Sequence, residues 1–600
     1  MLHRRPQPVF VTGKKPADTL VILLHGCTWT RYRRKTQLKP VIDAVQDSLP
    51  QADILMPVLP IEFWSLQSAD DIVGDVVDAV DCVWKRQVAS GLEYQRIVMI
   101  GFSFGSVLLR QVFCRAAGAR QNATVDLGAA RHWVNRVERM ILIAGLNRGW
   151  TVDSPVTRIQ SLFNNIGTAI GHLLPRKPTL FAIRRGAPFI TRTRLQWLAL
   201  ERAALTPRLT IQLLGTRDDI VSPVDNIDLA TGTRFVYLEV PRSGHFDVIQ
   251  MSGDTPAATT RRELFQRALT EAPDHLRAVG MTEHELLQLL PISADASDEF
   301  ASRITPGQQL DDVVFVVHGI RDKGYWTRKI ARVVVSHGRV HRHRVVALAP
   351  TYGYFAMLPF LLPWTRRAKI EWLLDMYVAV RCWHPDAAVS FIGHSNGTYI
   401  AAGAIKSCPA VQFKHLVFAG SVVRSNFDWK HYLDAGQVCG VINYVATADW
   451  VVAIFPKFFQ LLRLQDLGSA GHDGFTSEPP EKVTDVEYVQ GRHGAALDEQ
   501  HWQDIANYII EGKRPGAGAP ARSLCVVAAG YVTPVIWVFL TTIAICPFYL
   551  LLTALGVPEV TGLRWVQAWH SNVARQVPAW VLTGALIAWT QALKIVLTRL

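Results

Sequence analysis

The sequence predicts an α/β chain built as two tandem units, each a mostly parallel sheet covered by helices, with a C-terminal transmembrane helical segment. Three observations predict it. An apolar strand ending in His-Gly occurs twice, as VILLHG ending at Gly26 and VVFVVHG ending at Gly319. Each is followed by a second apolar strand running into Gly-x-Ser-x-Gly, IVMIGFSFG with Ser103 and VSFIGHSNG with Ser395. Ser103 lies 77 residues after Gly26 and Ser395 lies 76 after Gly319. Finally, from Ser523 to Pro558 there is no Asp, Glu, Lys or Arg.

In the first unit, strands are expected at Leu20–Leu24, Ile54–Val58, Arg96–Ile100, Met140–Ala144, Leu209–Leu214 and Phe235–Val240. Helices are expected at Lys39–Ser48, Asp70–Ala89 and Ser106–Ala117. Short apolar strands alternating with helices indicate a parallel sheet buried on both faces. The segment 150–206 breaks that rhythm and is expected to form a helical cap over a site, the first unit as a whole covering 1–275. A linker follows at 276–309, least ordered in PISADASDEFASRITPGQQL.

The second unit, 310–512, repeats the pattern at Val313–Val317, Val345–Ala349, Val389–Ile392, His415–Ala419, Gly440–Val445 and Val486–Val489. Its cap is smaller. The insertion YGYFAMLPFLLPWTRR, Tyr352 to Arg367, is read as a lid over an acyl pocket, a surface dipping into a bilayer, or a contact between domains.

Six hundred residues exceed one core. With 49% apolar and 19% charged residues, the chain is expected to be mostly folded. The net charge of +13 is spread, without a compact Lys/Arg block or zinc-finger spacing, so nucleic acid is not expected as a partner. Eight scattered cysteines without a CxxC pair favour a reducing compartment. The first apolar run is too short for a signal peptide.

A serine hydroxyl needs a histidine to take its proton and a buried carboxylate to hold that histidine. In an open parallel sheet those groups come from loops at the carboxyl ends of later strands, so the chain order Ser, acid, His is a usable test. In the first unit LTIQLLG leads to TRDDIVSP, with Asp218 and Asp219, and FVYLEV leads to PRSGHFDVI, with His245. In the second, GVINYVATADWVV supplies Asp449 and DVEYVQG leads to His493. His472, flanked by glycines, is a rival to His493, whereas His501 sits within a helix. Backbone N–H donors for the oxyanion of acyl transfer are expected from Phe104 and Cys27 at the first serine and from Asn396 and Ile320 at the second. His25 and His318 are expected to shape the loops, and Asp322 to orient the second one.

At these residues the chain resembles the α/β-hydrolase superfamily, over about 20–270 and 310–512, as two tandem α/β-hydrolase domains. In that superfamily a Gly-x-x-Asp-x-x-Val pattern carries the acid. Gly215 and Val221 then select Asp218, while Asp449 departs from the pattern. The resemblance implies a serine hydrolase, esterase- or lipase-like, with Ser103, Asp218 and His245 in one triad and Ser395, Asp449 and His493 in the other. It implies cleavage of a carboxylic ester, or less often an amide or thioester, through an acyl-enzyme. The alternative is a scaffold that binds a partner with one or both sites silent. The HRHR run, His341–Arg344, is expected to begin a strand with both histidines on one side. Without an acid at fitting spacing no metal is expected there, and no cofactor is expected.

The uncharged stretch exceeds the roughly 20 residues that cross a bilayer. Residues 513–600 are therefore expected to anchor the chain, with spans at about 524–552 and 580–597, both ends and the catalytic units on the cytoplasmic side, as in a bacterial inner membrane. A lipid bilayer and a lipophilic ester or acyl thioester are the expected partners, and oligomeric state is left open.

Overall fold

The computed structural model describes residues 9–14, 16–27, 34–62, 65–151, 178–226, 228, 234–281, 309–322, 324–463, 465–476, 481–516, 524–535 and 537. The first unit runs β1 (Val9–Val11), β2 (Thr19–Leu24), α1 (Arg34–Ser48), β3 (Ala52–Met56), α2 (Ala69–Ala89), β4 (Arg96–Phe102) and α3 (Phe104–Ala116). It continues with β5 (Val137–Ile143), α4 (Pro188–Arg202), β6 (Leu209–Gly215), β7 (Phe235–Val240), α5 (Pro256–Thr270) and α6 (Pro273–Val279). The second unit comprises β8 (Asp312–Val317), α7 (Tyr325–Val340), β9 (Val345–Leu348), α8 (Pro363–Trp383), β10 (Ala388–His394) and α9 (Asn396–Ser407). It closes with β11 (Phe413–Ala419), β12 (Val438–Ala446), α10 (Trp450–Leu462), β13 (Val483–Val489) and α11 (Trp502–Glu511).

The first sheet has the order β1-β3-β2-β4-β5-β6-β7, parallel except for β1, which pairs antiparallel with β3. The second has the order β13-β12-β11-β10-β8-β9 and is parallel throughout. Every residue of β2 and of β8 is buried, which explains why both strands read as unbroken apolar runs. The helices bury one stripe. In α2 the stripe is Ile72, Val73, Val76, Val77, Val80 and Trp84, while Ser68 caps the N-terminus by accepting from the Asp70 N–H. Each sheet has an apolar cluster on either face.

In both sheets the chain leaves one strand in one direction and returns to pair on its other side. That reversal falls between β2 and β4, and again between β8 and β10. A reversal opens a crevice at the carboxyl ends of the strands. The His-Gly loops and the two serines follow those four strands, so each crevice receives one of each.

The insertion 352–367 is not a free lid. Tyr352, Phe355, Met357 and Phe360 are buried in the second unit's own core, and Arg366 is fully buried with its guanidinium on Gln465 and Asp466. Of the expected cap, residues 152–177 lie outside the described residues. Its second half, α4, packs between α3 and α8 and adds Leu195 to the second unit's core. Most of the expected linker, 282–308, also lies outside the described residues.

The units meet at a junction of opposite charges. Asp375 of α8 accepts from Arg185 at 2.8 Å, Arg194 at 3.0 Å and Arg148 at 3.4 Å. Arg194 also reaches Asp228 at 2.8 Å, and Arg110 reaches Asp228 at 2.9 Å. Burial alone would raise the Asp375 carboxyl, but Arg185, Arg148 and Arg194 together hold it below the ordinary carboxylate range.

The expected C-terminal membrane anchor is corrected. Among the described residues no helix is long and apolar enough to cross a membrane. Residues 524–535 are helical, but Thr533 donates to the Ala453 carbonyl at 2.9 Å and the Trp537 indole N–H to the Ile454 carbonyl at 3.0 Å. The Trp537 ring packs on Phe455, Phe458 and Phe459 of α10. Composition that reads as lipid-facing is thus used in part against protein. The remainder of the first expected span and all of 580–597 lie outside the described residues. With the anchor goes the reading of a membrane-anchored enzyme with its catalytic units facing the cytoplasm.

Candidate active sites

Ser103 stands between β4 and α3 with φ 52° and ψ −122°, and Ser395 between β10 and α9 with φ 50° and ψ −116°. Positive φ in a residue with a Cβ costs about 1–3 kcal/mol and persists only where the surroundings enforce it. Here the enforcement is visible. The Ser103 N–H donates to the Ile143 carbonyl at the end of β5, and the Ser395 N–H to the Ala419 carbonyl at the end of β11, at 2.8 and 2.9 Å. The His-Gly loops press against the serines: a Cβ on Gly26 would lie 2.9 Å from the Ser103 Cβ, and one on Gly319 would lie 2.8 Å from the Ser395 Cβ. Glycine is required at both places because any side chain would displace the serine.

At the first site the three expected residues come together. His245 Nε2 is 2.9 Å from Ser103 Oγ, and His245 Nδ1 is 2.9 Å from Asp218 Oδ2. The other carboxylate oxygen of Asp218 accepts from the Ile220 and Val221 N–H groups at 3.0 and 2.9 Å, which fixes its plane. The side chains of both Asp218 and His245 are only 3% exposed, so the imidazole is shielded from competing water. Phe102, the residue before the serine, lays its ring 5.4 Å from the His245 ring. Asp219, the less favoured acid, is not the one that meets the histidine.

The second site shares the elbow but not the full chain of hydrogen bonds. His493 Nδ1 is 2.9 Å from Asp449 Oδ2, and Asp449 is fully buried. Its Oδ1 caps α10 by accepting from the Val452 N–H at 3.0 Å. No hydrogen bond joins His493 to Ser395 in the structure. The His493 ring lies instead against Gly420, where a Cβ would come within 2.7 Å of Cε1, and 4.8 Å from the ring of His394. His394 occupies the position of Phe102. Burial, then the neighbouring His493, push its pKa down to about 3, so it is neutral. His472 pairs with neither Asp449 nor Ser395. It is buried beside Lys457 and Asp473, and a Cβ on Gly530 would touch its Nε2.

Phe104 and Asn396 open α3 and α9, whose first N–H groups lack intrahelical acceptors. Cys27 and Ile320 follow Gly26 and Gly319 in the loops that touch the serines. His25 and His318 each hold the next residue's carbonyl through Nδ1 at 2.8 Å, shaping the loops and standing outside both proton relays. Asp322 accepts from the Gly324 N–H at 2.8 Å and the Trp326 indole N–H at 2.6 Å, fixing the second loop. Sequence reasoning missed Tyr352. Its hydroxyl lies 2.9 Å from the carbonyls of His318 and Gly319 and accepts from the Asn396 amide at 3.2 Å. A hydroxyl inside an otherwise greasy insertion was the available signal.

The HRHR expectation is also corrected. His341 ends α7 and the strand begins at Val345, so alternation does not apply. His343 turns to Asp312 at 3.0 Å and His341 faces Glu511 at 3.5 Å.

Comparisons with family models and with curated proteins returned no match. Solved structures similar to part of the chain include one described with the metagenome-derived lipolytic enzymes LipS and LipT, at 15% identity over 44% of this chain and 97% of that one, TM-score 0.28. Phospholipase PlaB from Legionella pneumophila is similar at 14% identity over 46% of this chain and 63% of its own, TM-score 0.32. An esterase from Pyrococcus furiosus is similar at 13% identity over 44% and 89% of the two chains, TM-score 0.26. At this identity the resemblance to α/β-hydrolases of the esterase and lipase kind concerns the fold alone, and at these scores it carries no argument about a reaction.

Proposed function

We propose that the chain is a serine hydrolase that cleaves a carboxylic ester at Ser103, and that its two halves are copies of one hydrolase arrangement. The observation that carries the first reading is the unbroken relay from Ser103 Oγ through His245 to Asp218, built at a strained elbow. With its proton on Nδ1 donated to Asp218, the imidazole turns the Nε2 lone pair to the serine hydroxyl. Ser103 Oγ attacks the ester carbonyl carbon while His245 Nε2 takes its proton. The resulting oxyanion accepts from the Phe104 and Cys27 N–H groups. The imidazolium, stabilised by Asp218, returns the proton to the departing alkoxide, leaving an acyl-serine and a free alcohol. Water attacks the acyl-serine with His245 again as base, releasing the carboxylic acid and restoring the hydroxyl.

The support for two copies is the shared order of strand, His-Gly loop, elbow serine, acid and histidine on two sheets. A fluorophosphonate probe, compared in the full chain, in S103A and in S395A, tests the first reading. Labelling that disappears in S103A, together with p-nitrophenyl ester turnover, supports the assignment. A wild-type chain that neither labels nor turns over esters overturns it.

A further inference from the structure

At the end of the second unit farthest from its serine, two helix C-termini bring three side chains together. His337 and His341 occupy the last turn and the C-cap of α7, four residues apart and so on one face. Glu511 is the last residue of α11, which packs along α7. The two imidazole centroids are 4.4 Å apart. Both Nε2 atoms approach the same carboxylate oxygen, His337 at 2.6 Å and His341 at 3.5 Å. The three candidate ligand atoms lie within 4.8 Å of one another.

We propose that His337, His341 and Glu511 form a binding site for a divalent transition ion of the zinc class, which would clamp α11 onto α7. Two imidazoles and one carboxylate are a donor set this class takes readily, with bonds of about 2.0–2.2 Å and a fourth position for water. Tetrahedral bonds of that length set ligands about 3.3 Å apart, so the 2.6 Å contact must open and the widest separation, within 4.8 Å, must close by up to about 1.5 Å through side-chain movement. One further feature favours a cation here: each helix presents its partially negative C-terminus to the site.

The Gln503 amide nitrogen lies 2.9 Å from His337 Nδ1 and donates to Asn507 Oδ1 at 3.0 Å. Turning that amide over, with loss of the Asn507 bond, would let its oxygen accept from Nδ1–H and leave the Nε2 lone pair for the ion, the outer-shell arrangement that orients metal-binding histidines. The ion would not serve Ser395. α7 runs antiparallel to the strands, so its C-terminus lies at their amino ends, opposite the crevice. The consequence is structural: α11 follows the loop that carries His493, and a clamp on α11 anchors that loop's far end.

The test uses the full chain, stripped with chelator and desalted, then titrated with zinc sulfate by calorimetry and by thermal unfolding. Wild type is expected to bind about one zinc that H341A and E511Q bind at least ~10-fold more weakly, with a rise in Tm that both variants lose. X-ray absorption of the zinc-loaded wild type is expected to show nitrogen and oxygen ligands. H341A removes an exposed side chain, and circular dichroism checks that each variant is folded. Absence of zinc binding by wild type, equal affinity in both folded variants, or sulfur ligation of the zinc overturns the proposal.

Discussion

The two serines share a backbone and differ in what surrounds them. Their φ values are 52° and 50°, and each N–H is tied to the end of the neighbouring strand. Yet His245 reaches Ser103, whereas His493 is held by Asp449, His394 and Gly420 without a bond to Ser395. The residue before the serine is a phenylalanine in one site and a neutral histidine in the other. An elbow is therefore a property of strand order and glycine placement, while completion of the serine–histidine–aspartate hydrogen-bond chain depends on one loop later in the chain. The same fold holds one such chain complete and one broken.

Four measurements break or sharpen that contrast. Ser103→Ala is expected to lower ester turnover by about a millionfold, because the members of a triad act as a unit. Equal turnover in S103A and wild type would transfer the chemistry to Ser395. Asp218→Asn is expected to keep the fold and lower kcat by about ten-thousandfold, since the amide favours the wrong imidazole tautomer. A loss under tenfold would show that Ile220 and Val221 hold a loop whose carboxylate does not orient His245.

The third measurement asks whether the two sites lean on a common junction. Asp375→Ala leaves Arg148, Arg185 and Arg194 without their shared acceptor and is expected to destabilise the chain by about 3–5 kcal/mol in urea unfolding. The sign with pH follows from the depressed carboxyl. Its contribution is complete above the ordinary value of 3.8 and is lost as pH falls below that. The difference between wild type and D375A should therefore shrink on acidification below pH 3.8. A gap that widens there would place the stabilisation elsewhere. Last, Ser395→Ala is expected to leave turnover of the same ester within about twofold. A large loss would mean that the second hydrogen-bond chain is completed around substrate.

Much of this was legible beforehand, for physical reasons. The central strands are buried on both faces and so appear as apolar runs, and the elbows are fixed by local glycines. Asp449, which meets His493, was legible without the Gly-x-x-Asp motif because it stands just past a strand end. The antiparallel β1 is three residues long and left no periodic signal. The charge junction joins residues up to 227 positions apart, from Arg148 to Asp375, and no local pattern encodes such a pairing. The apolar insertion at 352–367 could be placed but not oriented, since a run buried in its own core and one facing a ligand have the same composition. The uncharged C-terminal stretch misled for that reason too: Trp537 meets three phenylalanines of α10. His341 was weighed against nearby acids, while its partner Glu511 comes 170 residues later.

The junction around Asp375 constrains how this chain can be taken apart. Arg148, Arg184, Arg185 and Arg194 all belong to the amino-terminal half, and Glu371 and Asp375 to the other. A cut between the halves would part Arg148, Arg185 and Arg194 from Asp375. Expressed separately, the amino-terminal fragment would expose an arginine-rich face and the other fragment its acidic counterpart, so dissecting the two sites is better done by point substitution than by truncation.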